Sequence, residues 1–277
     1  MGCLFKAHVQ DGHTIKILAE LLQHCFKDIY LRLSHKGISF SRTDVDNGIV
    51  INFRLLPERF LEYQCARHMT IEINVIHLYK MLRMIKKKVA VILFITTEKP
   101  NHLGIKVSNG GRMTTSWVKF RTACDVRYLP QTGYGPSIAI LSSEYSKMCR
   151  EFNTIGKYIS ITSNSRKITF TCEGVGMYMR ETSFGEEEED DRESEDDEEL
   201  FEETYYTKQF TQLMKISGLS LQVPIRVFAR PGLPLKIKTL IGNLGSMRIY
   251  IKSNSQMDDD KARSGKIEEE EEEFDSS

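Results

Sequence analysis

Hydrophobic and polar positions alternate along most of the chain in short runs, and the runs have two different periods. Val75, Leu78, Leu82 and Ile85 follow helical spacing, which predicts one apolar helix face. Other runs, such as Val89–Thr96, are rich in β-branched residues and end at Gly, Pro, Asn or charged clusters, which is typical of strands. Together the two patterns predict an α+β fold.

The predicted elements occur twice, at a spacing of about 132 residues. The predicted helices are Thr14–Phe26 and Val75–Ile85, then Ser142–Phe152 and Thr207–Ile216. The predicted strands after the first helix of each half are Asp28–Leu33 and Gly37–Arg42, then Tyr158–Thr162 and Lys167–Cys172. The predicted strands after the second helix correspond between the two halves. Val89–Thr96 corresponds to Leu221–Phe228, Leu103–Val107 to Leu235–Thr239, and Ser116–Phe120 to Arg248–Lys252. This shared register predicts two tandem domains, residues 1–120 and 137–253, joined by a linker at residues 121–136.

Each predicted helix also carries basic residues away from its apolar face. In the helix Ser142–Phe152, for example, Tyr145 and Met148 are expected to be buried while Lys147 and Arg150 stay outside. One basic helix face is ordinary for a solvated helix. Four such faces in a duplicated framework predict a surface for a polyanion.

The formal net charge of zero hides a division of charge along the 277 residues. Glu186–Glu203 holds 14 acidic residues and one basic residue, and Asp258–Ser277 holds 10 acidic and three basic. Of the 38 basic and 38 acidic residues, 34 basic and 14 acidic lie outside these segments, a net charge of +20. We therefore predict a cationic body with a disordered acidic insert at 186–203 and a disordered acidic tail at 254–277.

The chain offers few signs of catalysis or metal binding. The six cysteines show no CxxC pair or zinc spacing, which favours reduced thiols, and no apolar run reaches transmembrane length. Phosphate-binding loops, dinucleotide motifs, HExxH and nucleophile elbows are missing from the sequence. Asp44–Gly48 is similar to the start of a calcium loop, but the twelfth position is Leu55 instead of Glu, so a turn is expected. We predict no catalytic residue, cofactor or metal ion.

Several short segments resemble the proliferating cell nuclear antigen family of sliding clamps, collinearly over roughly residues 5–250. They are Phe5–Ala7, Phe60–Cys65 (F-x-x-Y-x-C in the family), Met148–Phe152 followed by Ile155-Gly156 (I-C-R-D-L…I-G), Leu233–Leu235 (V-P-L), Gly245–Tyr250 (G-x-L-K-Y-Y) and Lys266-Ile267 before Glu268–Glu273 (the acidic C-terminus). The resemblance implies two tandem DNA-clamp domains with helices on the inner face of a β-sheet. It also implies a non-enzymatic homotrimeric ring around duplex DNA.

The resemblance also implies which basic residues face DNA. They are Lys16, Lys80, Arg83, Lys147, Arg150, Lys208 and Lys215. The high charge of the body adds the run Lys86, Lys87 and Lys88 as a candidate patch. Lysine and arginine contacts to phosphate carry no base information, so a closed ring could slide along the duplex.

Partner proteins are expected on the outside of the ring. By resemblance, a pocket for short peptides is formed by Thr43, Asn47, Gly48, Val50, Tyr128, Pro130, Pro234 and Tyr250. Asn47 stands where the family usually has His, and Lys252-Ser253-Asn254 replaces A-P-K, so the choice of client is open and a divergent or viral replication system is plausible. The implied partners are a DNA polymerase, other replication and repair proteins and a clamp loader. The implied location is the nucleus or a viral replication compartment, with no membrane partner.

Ring closure is predicted to pair an exposed strand edge of one chain with that of the next. The strands are Thr115–Phe120 and Met177–Thr182, with Trp117, Lys119, Tyr178 and Arg180 at the interface. Two alternatives keep the fold but change the assembly. One is a monomeric or dimeric processivity factor that grips DNA on its basic face, and the other is a subunit of a heterotrimeric checkpoint clamp.

Overall fold

The computed structural model describes residues 2–46, 48–123, 132–164, 166–176, 178–186, 200–220 and 223–263. These residues form two halves of antiparallel strands and short helices that follow one another in the same order. The predicted α+β duplication is therefore confirmed.

The first half contains two helices and nine strands within the described residues. They are β1 (Cys3–Val9), α1 (Gly12–Cys25), β2 (Asp28–Ser34), β3 (Gly37–Thr43), β4 (Ile49–Leu55), β5 (Glu62–Cys65), β6 (Met69–Asn74), α2 (Val75–Leu82), β7 (Val91–Thr96), β8 (His102–Asn109) and β9 (Arg112–Thr122). A 3-10 turn at Pro57–Arg59 precedes β5. Because β9 runs to Thr122, the first domain extends two residues into the linker predicted from the sequence.

The second half repeats this order, except that β5 has no counterpart among its described residues. Its elements are β10 (Ile138–Ile140), α3 (Ser142–Phe152), β11 (Tyr158–Ser163), β12 (Lys167–Glu173), β13 (Met179–Gly185), β14 (Phe201–Tyr206), α4 (Thr207–Gln212), β15 (Ile225–Phe228), β16 (Leu235–Ile241) and β17 (Gly245–Ile251). A 3-10 segment, Met214–Gly218, follows α4.

The two halves are joined by strand pairing. β17 of the second half pairs antiparallel with β4 of the first, from Gly245 opposite Leu55 to Ile251 opposite Ile49. The continuous sheet has the order β10-β15-β16-β17-β4-β3-β2-β6-β9-β8-β7-β1-β5. A second sheet, of order β13-β12-β11-β14, belongs to the second half alone.

The helices cover one face of the sheet with their apolar sides. Ile15 and Leu18 of α1 line a small internal space together with Phe53 of β4 and Leu93 of β7. In α3, Tyr145, Met148 and Phe152 are buried as the helical spacing predicts, and Lys147 and Arg150 are exposed. The basic side chains of the helices consequently lie on the surface opposite to the core.

Side-chain caps determine where the helices begin. Asp11 caps α1, because its carboxylate accepts hydrogen bonds from the His13 amide at 3.3 Å and the Thr14 hydroxyl at 3.2 Å. Asn74 caps α2 in the same way, through the amide of His77 at 3.1 Å. Asp and Asn side chains accept hydrogen bonds from first-turn amides that have no partner within the helix, which explains these starting points.

Gln209 of α4 ties the two halves together beneath the sheet. Its side-chain amide donates to the carbonyl oxygens of Gly48 at 3.2 Å and Lys252 at 3.1 Å, and its carbonyl accepts from the Tyr206 amide at 3.0 Å. A buried side chain thereby satisfies three backbone groups at the point where β4 begins and β17 ends.

Both helices before the last three strands of each half are shorter than predicted. α2 ends at Leu82 instead of Ile85, because the chain turns through Lys86, Lys87 and Lys88. Lys88 has a left-handed φ of 64°, and its amide donates to Asp11 at 3.3 Å. α4 ends at Gln212 and continues as the 3-10 segment, which contains Lys215.

The predictions of disorder were too broad at both acidic segments. Phe201–Tyr206 is strand β14, because Phe201 and Tyr205 are buried and alternate with the polar Glu202 and Thr204. Residues 201–203 therefore belong to β14 and not to a disordered insert. Residues 187–199 lie outside the described part. Residues 254–263 are helical, whereas the sequence predicted disorder from 254. Met257 approaches Gln209 at 3.7 Å, and Lys252 binds Asp260 at 2.6 Å, which anchors this segment.

Candidate functional site

The basic residues predicted to face DNA lie on the outer sides of all four helical segments. Lys80, Arg83, Lys147, Arg150 and Lys208 are exposed, while Lys16 and Lys215 are half-buried. α1 packs against α2, and α3 packs against the 3-10 segment that follows α4, so the helices form one layer. The structure therefore brings these residues onto a common helical layer.

The half-buried Lys16 is held near the end of the second helical segment. Its ammonium group donates to the carbonyl oxygen of Ile85 at 3.5 Å. One turn away on α1, burial lowers the pKa of His13, and the nearby charge of Lys16 lowers it further. The imidazole of His13 thus disfavours protonation beside this lysine, and Lys16 supplies the positive charge there.

Two cations of this layer are paired with carboxylates, which the sequence did not indicate. Lys208 binds Asp46 at 2.9 Å, and this hydrogen bond raises the pKa of Lys208. Lys215 binds Glu20 of α1 at 2.6 Å. Each carboxylate weakens the attraction of its lysine for a phosphate, so the layer is less positive than its lysine and arginine content suggests.

The run Lys86, Lys87 and Lys88 forms an exposed turn next to the beginning of α1. The contact of the Lys88 amide with Asp11, the cap of α1, places the turn there. Asp11 brings one carboxylate beside the three lysines, so the turn together with the cap keeps a positive charge. This part of the surface can therefore attract anions.

The residues predicted to bind peptides lie on the opposite, outer face of the sheet. Thr43 pairs with Val50, Val50 with Tyr250, and Tyr250 with Lys236, so these four side chains form one row across β3, β4, β17 and β16. Pro234 precedes Leu235, the first residue of β16. Asn47, Tyr128 and Pro130 lie outside the described residues.

Tyr134, from the segment between the two halves, covers this row and was missed by the sequence interpretation. Its ring lies 6.3 Å from that of Tyr250 and 6.1 Å from that of Phe228, and its hydroxyl donates to the Pro234 carbonyl at 2.8 Å. The ammonium group of Lys236 lies 4.5 Å from the Tyr134 ring centre. The period-two pattern of β15 and β16 places Phe228 and Lys236 on the outer face, but nothing in the sequence pairs either residue with Tyr134.

Three of the predicted peptide-binding residues are buried. Val50 and Tyr250 are each only 1% exposed, and burial raises the pKa of the Tyr250 hydroxyl. Gly48 is also buried, and a Cβ atom at this position would come within 2.6 Å of the Gln209 amide nitrogen. Val50 and Tyr250 therefore form the floor of the row, and Gly48 permits the close approach of Gln209.

The strands predicted to pair between chains, β9 and β13, each have an open edge within the described part of the chain. β9 pairs with β8 along its residues 112–119, from Arg112 opposite Asn109 to Lys119 opposite His102. It pairs with β6 only at Phe120–Thr122. One edge of residues 112–119 is therefore unpaired there, and β13 is an outermost strand of the second sheet. Backbone amides and carbonyls on such edges can pair with another chain.

The predicted interface residues lie on or beside these edges. Trp117 of β9 packs edge-on against Phe94 with a ring separation of 5.1 Å, and Lys99 lies 4.4 Å above its ring. Lys119 is exposed two residues further along β9. Arg180 of β13 binds Glu151 at 2.9 Å, and the exposed Tyr178 lies just before this strand.

The described residues contain no group of three or more His, Cys, Asp or Glu side chains arranged to hold a metal ion. In the same part of the chain, none of the helices is both long and apolar enough to cross a membrane.

Comparison with known families matches almost the whole chain. Residues 4–122 match the family described as "Proliferating cell nuclear antigen, N-terminal domain". Residues 128–254 match "Proliferating cell nuclear antigen, C-terminal domain". The boundary between the two matches falls between β9 and β10.

Individual proteins give the same pattern of similarity. The chain is 22% identical over 255 residues to "Probable DNA polymerase sliding clamp 1" of Paramecium bursaria Chlorella virus 1, covering 90% of this chain and 96% of that protein. It is 21% identical over 256 residues to "Proliferating cell nuclear antigen" of Chaetomium thermophilum, covering 90% and 97%. The crystal structure of Proliferating Cellular Nuclear Antigen from Entamoeba histolytica superimposes with a TM-score of 0.78 at 18% identity, covering 91% of this chain and 99% of that one.

Proposed function

This chain belongs to the proliferating cell nuclear antigen family of DNA sliding clamps, and we propose that three copies close into a ring that encircles duplex DNA. In this ring the helical layer lines the hole and the sheets form the outside. The ring acts as a scaffold for replication and repair proteins instead of as an enzyme.

The observation that carries the ring is the intrachain pairing of β4 with β17. In the duplicated order, β13 is the counterpart of β4, and β9 is the counterpart of β17. β9, over residues 112–119, and β13 are both among the strands with an open edge in the described part of the chain. Pairing β9 of one copy with β13 of the next would repeat the intrachain junction, with Trp117, Lys119, Tyr178 and Arg180 at the contact.

The helical layer supports loose contact with DNA. Its proposed phosphate contacts are Lys16, Lys80, Arg83, Lys147, Arg150, Lys208, Lys215 and the turn Lys86–Lys88. Long lysine and arginine side chains attract phosphates without reading bases, so the duplex can slide. The carboxylates of Glu20 and Asp46 reduce this attraction at two points, which favours sliding over tight binding.

The outer row of Thr43, Val50, Tyr250 and Lys236, with the neighbouring Pro234, is proposed to bind short peptides of client proteins, including a DNA polymerase. Its apolar floor beside the ring of Tyr134 suits hydrophobic anchors of a helical peptide. A clamp loader that opens the ring is the further partner. These activities require replicating DNA, so the proposed location is a nucleus or a viral replication compartment.

Solution mass is the test of the assembly, followed by retention on DNA. Light scattering at micromolar concentration should give the mass of three chains, and rings loaded on circular DNA should be lost when the circle is cut. A single-chain mass would contradict the ring and would favour a factor that grips DNA on its basic face. A ring that forms only with different partner chains would favour a heterotrimeric clamp.

A further inference from the structure

A groove rich in arginine lies on the outer face of the sheet, away from the helical layer. Its walls carry Arg54 of β4, Arg59 of the 3-10 turn and Arg248 of β17 around a volume of about 490 Å³. Phe53 and Leu55, which alternate with Arg54, point into the core beneath α1. We call these three arginines and the space between them the arginine groove.

The charge of the arginine groove is not balanced within the described residues. Its lining contains Asn52, Asn243 and Ser246 but no carboxylate. None of its three arginines forms an ion pair with a described Asp or Glu, although Arg54 donates to the Lys36 carbonyl at 3.2 Å. Unbalanced guanidinium groups around a cleft are suited to carboxylates or phosphates.

The positive charge continues along the outer face from the groove. Arg248 pairs across the strands with Lys238, and Lys238 pairs with Arg226. Like charges placed opposite each other on neighbouring strands destabilise a sheet. Burial lowers the pKa of Lys236, and the positive charges of Arg248 and Lys238 lower it further. A polyanion on this face would relieve the repulsion.

The chain itself carries such a polyanion on the C-terminal side of the strand that lines the groove. β17 continues into the helical residues 254–263, and 14 residues follow, including the uninterrupted run Glu268–Glu273. The strand residues after Arg248 and the helical segment together span at most about 35 Å. The last residue of the run, Glu273, lies ten residues beyond Arg263. Ten extended residues span up to about 36 Å, so the end of the run can reach Arg248.

We propose that the arginine groove binds the Glu268–Glu273 run of the chain's own C-terminal segment. Carboxylates of the run would form charge-assisted hydrogen bonds with Arg54, Arg59 and Arg248. Tethering gives the run an effective concentration in the millimolar range, which favours it over free acidic peptides. The groove is thus an intramolecular anion site that is separate from the DNA-facing layer.

Photo-cross-linking of the full chain tests this proposal. Phe274, directly after the run, is replaced by the photoreactive analogue benzoylphenylalanine, and cross-linked peptides are identified by mass spectrometry. We expect cross-links to β4, β17 and Pro57–Arg59 of the same chain. They should disappear at about 1 M NaCl, where the screening length is about 3 Å.

Two variants with equal charge loss make the result specific. The pair Arg54→Gln and Arg248→Gln should reduce the cross-link yield about fivefold. The pair Lys86→Gln and Lys87→Gln removes the same charge from the helical layer and should leave the yield unchanged. Circular dichroism checks that both variants stay folded.

Three outcomes would overturn the proposal. They are cross-links directed to the Lys86–Lys88 turn, cross-links to a second, isotopically distinct chain, and an unchanged yield in the arginine variant. Binding of a short DNA duplex gives the remaining comparison. If the arginine variant weakens duplex binding while the cross-links persist, the groove is a nucleic-acid site instead.

Discussion

At the scale of single residues, the carboxylates beside the DNA-facing lysines are the feature that a count of charges misses. Glu20 binds Lys215 at 2.6 Å across α1 and the 3-10 segment, and Asp46 binds Lys208 at 2.9 Å. Residues 195 positions apart in sequence, such as Glu20 and Lys215, are brought together only by the packing of two domains. These pairs tune how strongly the layer attracts phosphate.

Glu20→Gln should strengthen DNA binding because it releases Lys215. We expect a gain of about two- to fivefold at low salt and a steeper salt dependence, by up to about 0.9 in the logarithmic slope for one added phosphate contact. Fluorescence anisotropy with a duplex over a range of salt concentrations measures both. Glu62→Gln is the matched control, because it releases Lys6 from a 2.6 Å pair outside the helical layer. Equal gains in both variants would contradict the assignment of Lys215.

Asp44 illustrates how a buried carboxylate supports a turn at a cost. Its carboxylate accepts from the Ile49 amide at 2.9 Å and so closes the turn between β3 and β4. Burial raises the pKa of Asp44, and the neighbouring Asp46 raises it further, although hydrogen bonds to the backbone oppose this shift. The pKa of Asp44 in the folded state therefore lies above the unfolded value of 3.8. As pH rises from the unfolded to the folded pKa, ionisation of Asp44 lowers the free energy of unfolding.

Asp44→Asn should therefore keep the hydrogen bond and remove this loss of stability with rising pH. Asp44→Ala should lower the free energy of unfolding by about 1.5–3 kcal/mol, because it leaves the Ile49 amide without its partner. Urea unfolding at pH 4 to 7 compares the two variants with the natural chain. A similar loss in both variants would contradict the role given to the carboxylate oxygen.

At the scale of elements, the pattern of apolar positions predicted whether a segment is a helix or a strand better than it predicted where the segment ends or which strand it pairs with. The helix Ser142–Phe152 was predicted with its observed bounds, since its apolar residues repeat at helical spacing. α2 and α4 end early because of tertiary contacts, such as that of Lys88 with Asp11. Strand β14 and the helical residues 254–263 were hidden by their acidic composition.

The peptide-binding residues were predicted only through the family resemblance, and the pairing of β4 with β17 was not predicted. The pairing of β4 with β17 joins strands about 200 residues apart, and a period-two pattern carries no information on which strand is the neighbour. Thr43, Val50 and Tyr250 were named and do share one face. Tyr134 was missed because it lies in a segment without periodicity.

Proline substitutions in β13 test the proposed pairing between chains. Amides of neighbouring residues in a strand point to opposite edges, so either Glu181 or Thr182 directs its amide away from β12. We expect one of Glu181→Pro and Thr182→Pro to stay folded but lose the three-chain mass, because it removes only an open-edge donor. The other should unfold at lower temperature. Light scattering and thermal unfolding measure these effects, and two stable variants that both assemble would contradict the interface.

At the scale of the whole molecule, the separation of charge is the main departure from an evenly charged surface. The residues outside the two acidic segments carry a net charge of +20. The segment with more acidic residues, between β13 and β14, connects opposite edges of the four-stranded sheet. A connection between these edges crosses about 14 Å at ordinary strand spacing. Substitutions that keep the length of the segment leave this connection unaltered.

Neutralising the acidic residues between 186 and 199 as Gln and Asn tests whether this segment screens the basic body. DNA affinity at low salt should rise several-fold, since fewer negative charges compete with phosphate. A chain with the same acidic residues in shuffled order is the control and should bind like the natural protein. Unchanged DNA affinity after neutralisation would contradict the hypothesis that the segment screens the basic body.

The β4–β17 junction has a mechanical consequence for a ring made of such chains. If β17 separates from β4, the two domains stay covalently connected through the backbone between β9 and β10. A seam between β9 of one chain and β13 of the next would have no such tether. A force that strains the ring would therefore open it at a seam between chains, while the junction inside each chain would flex as a hinge.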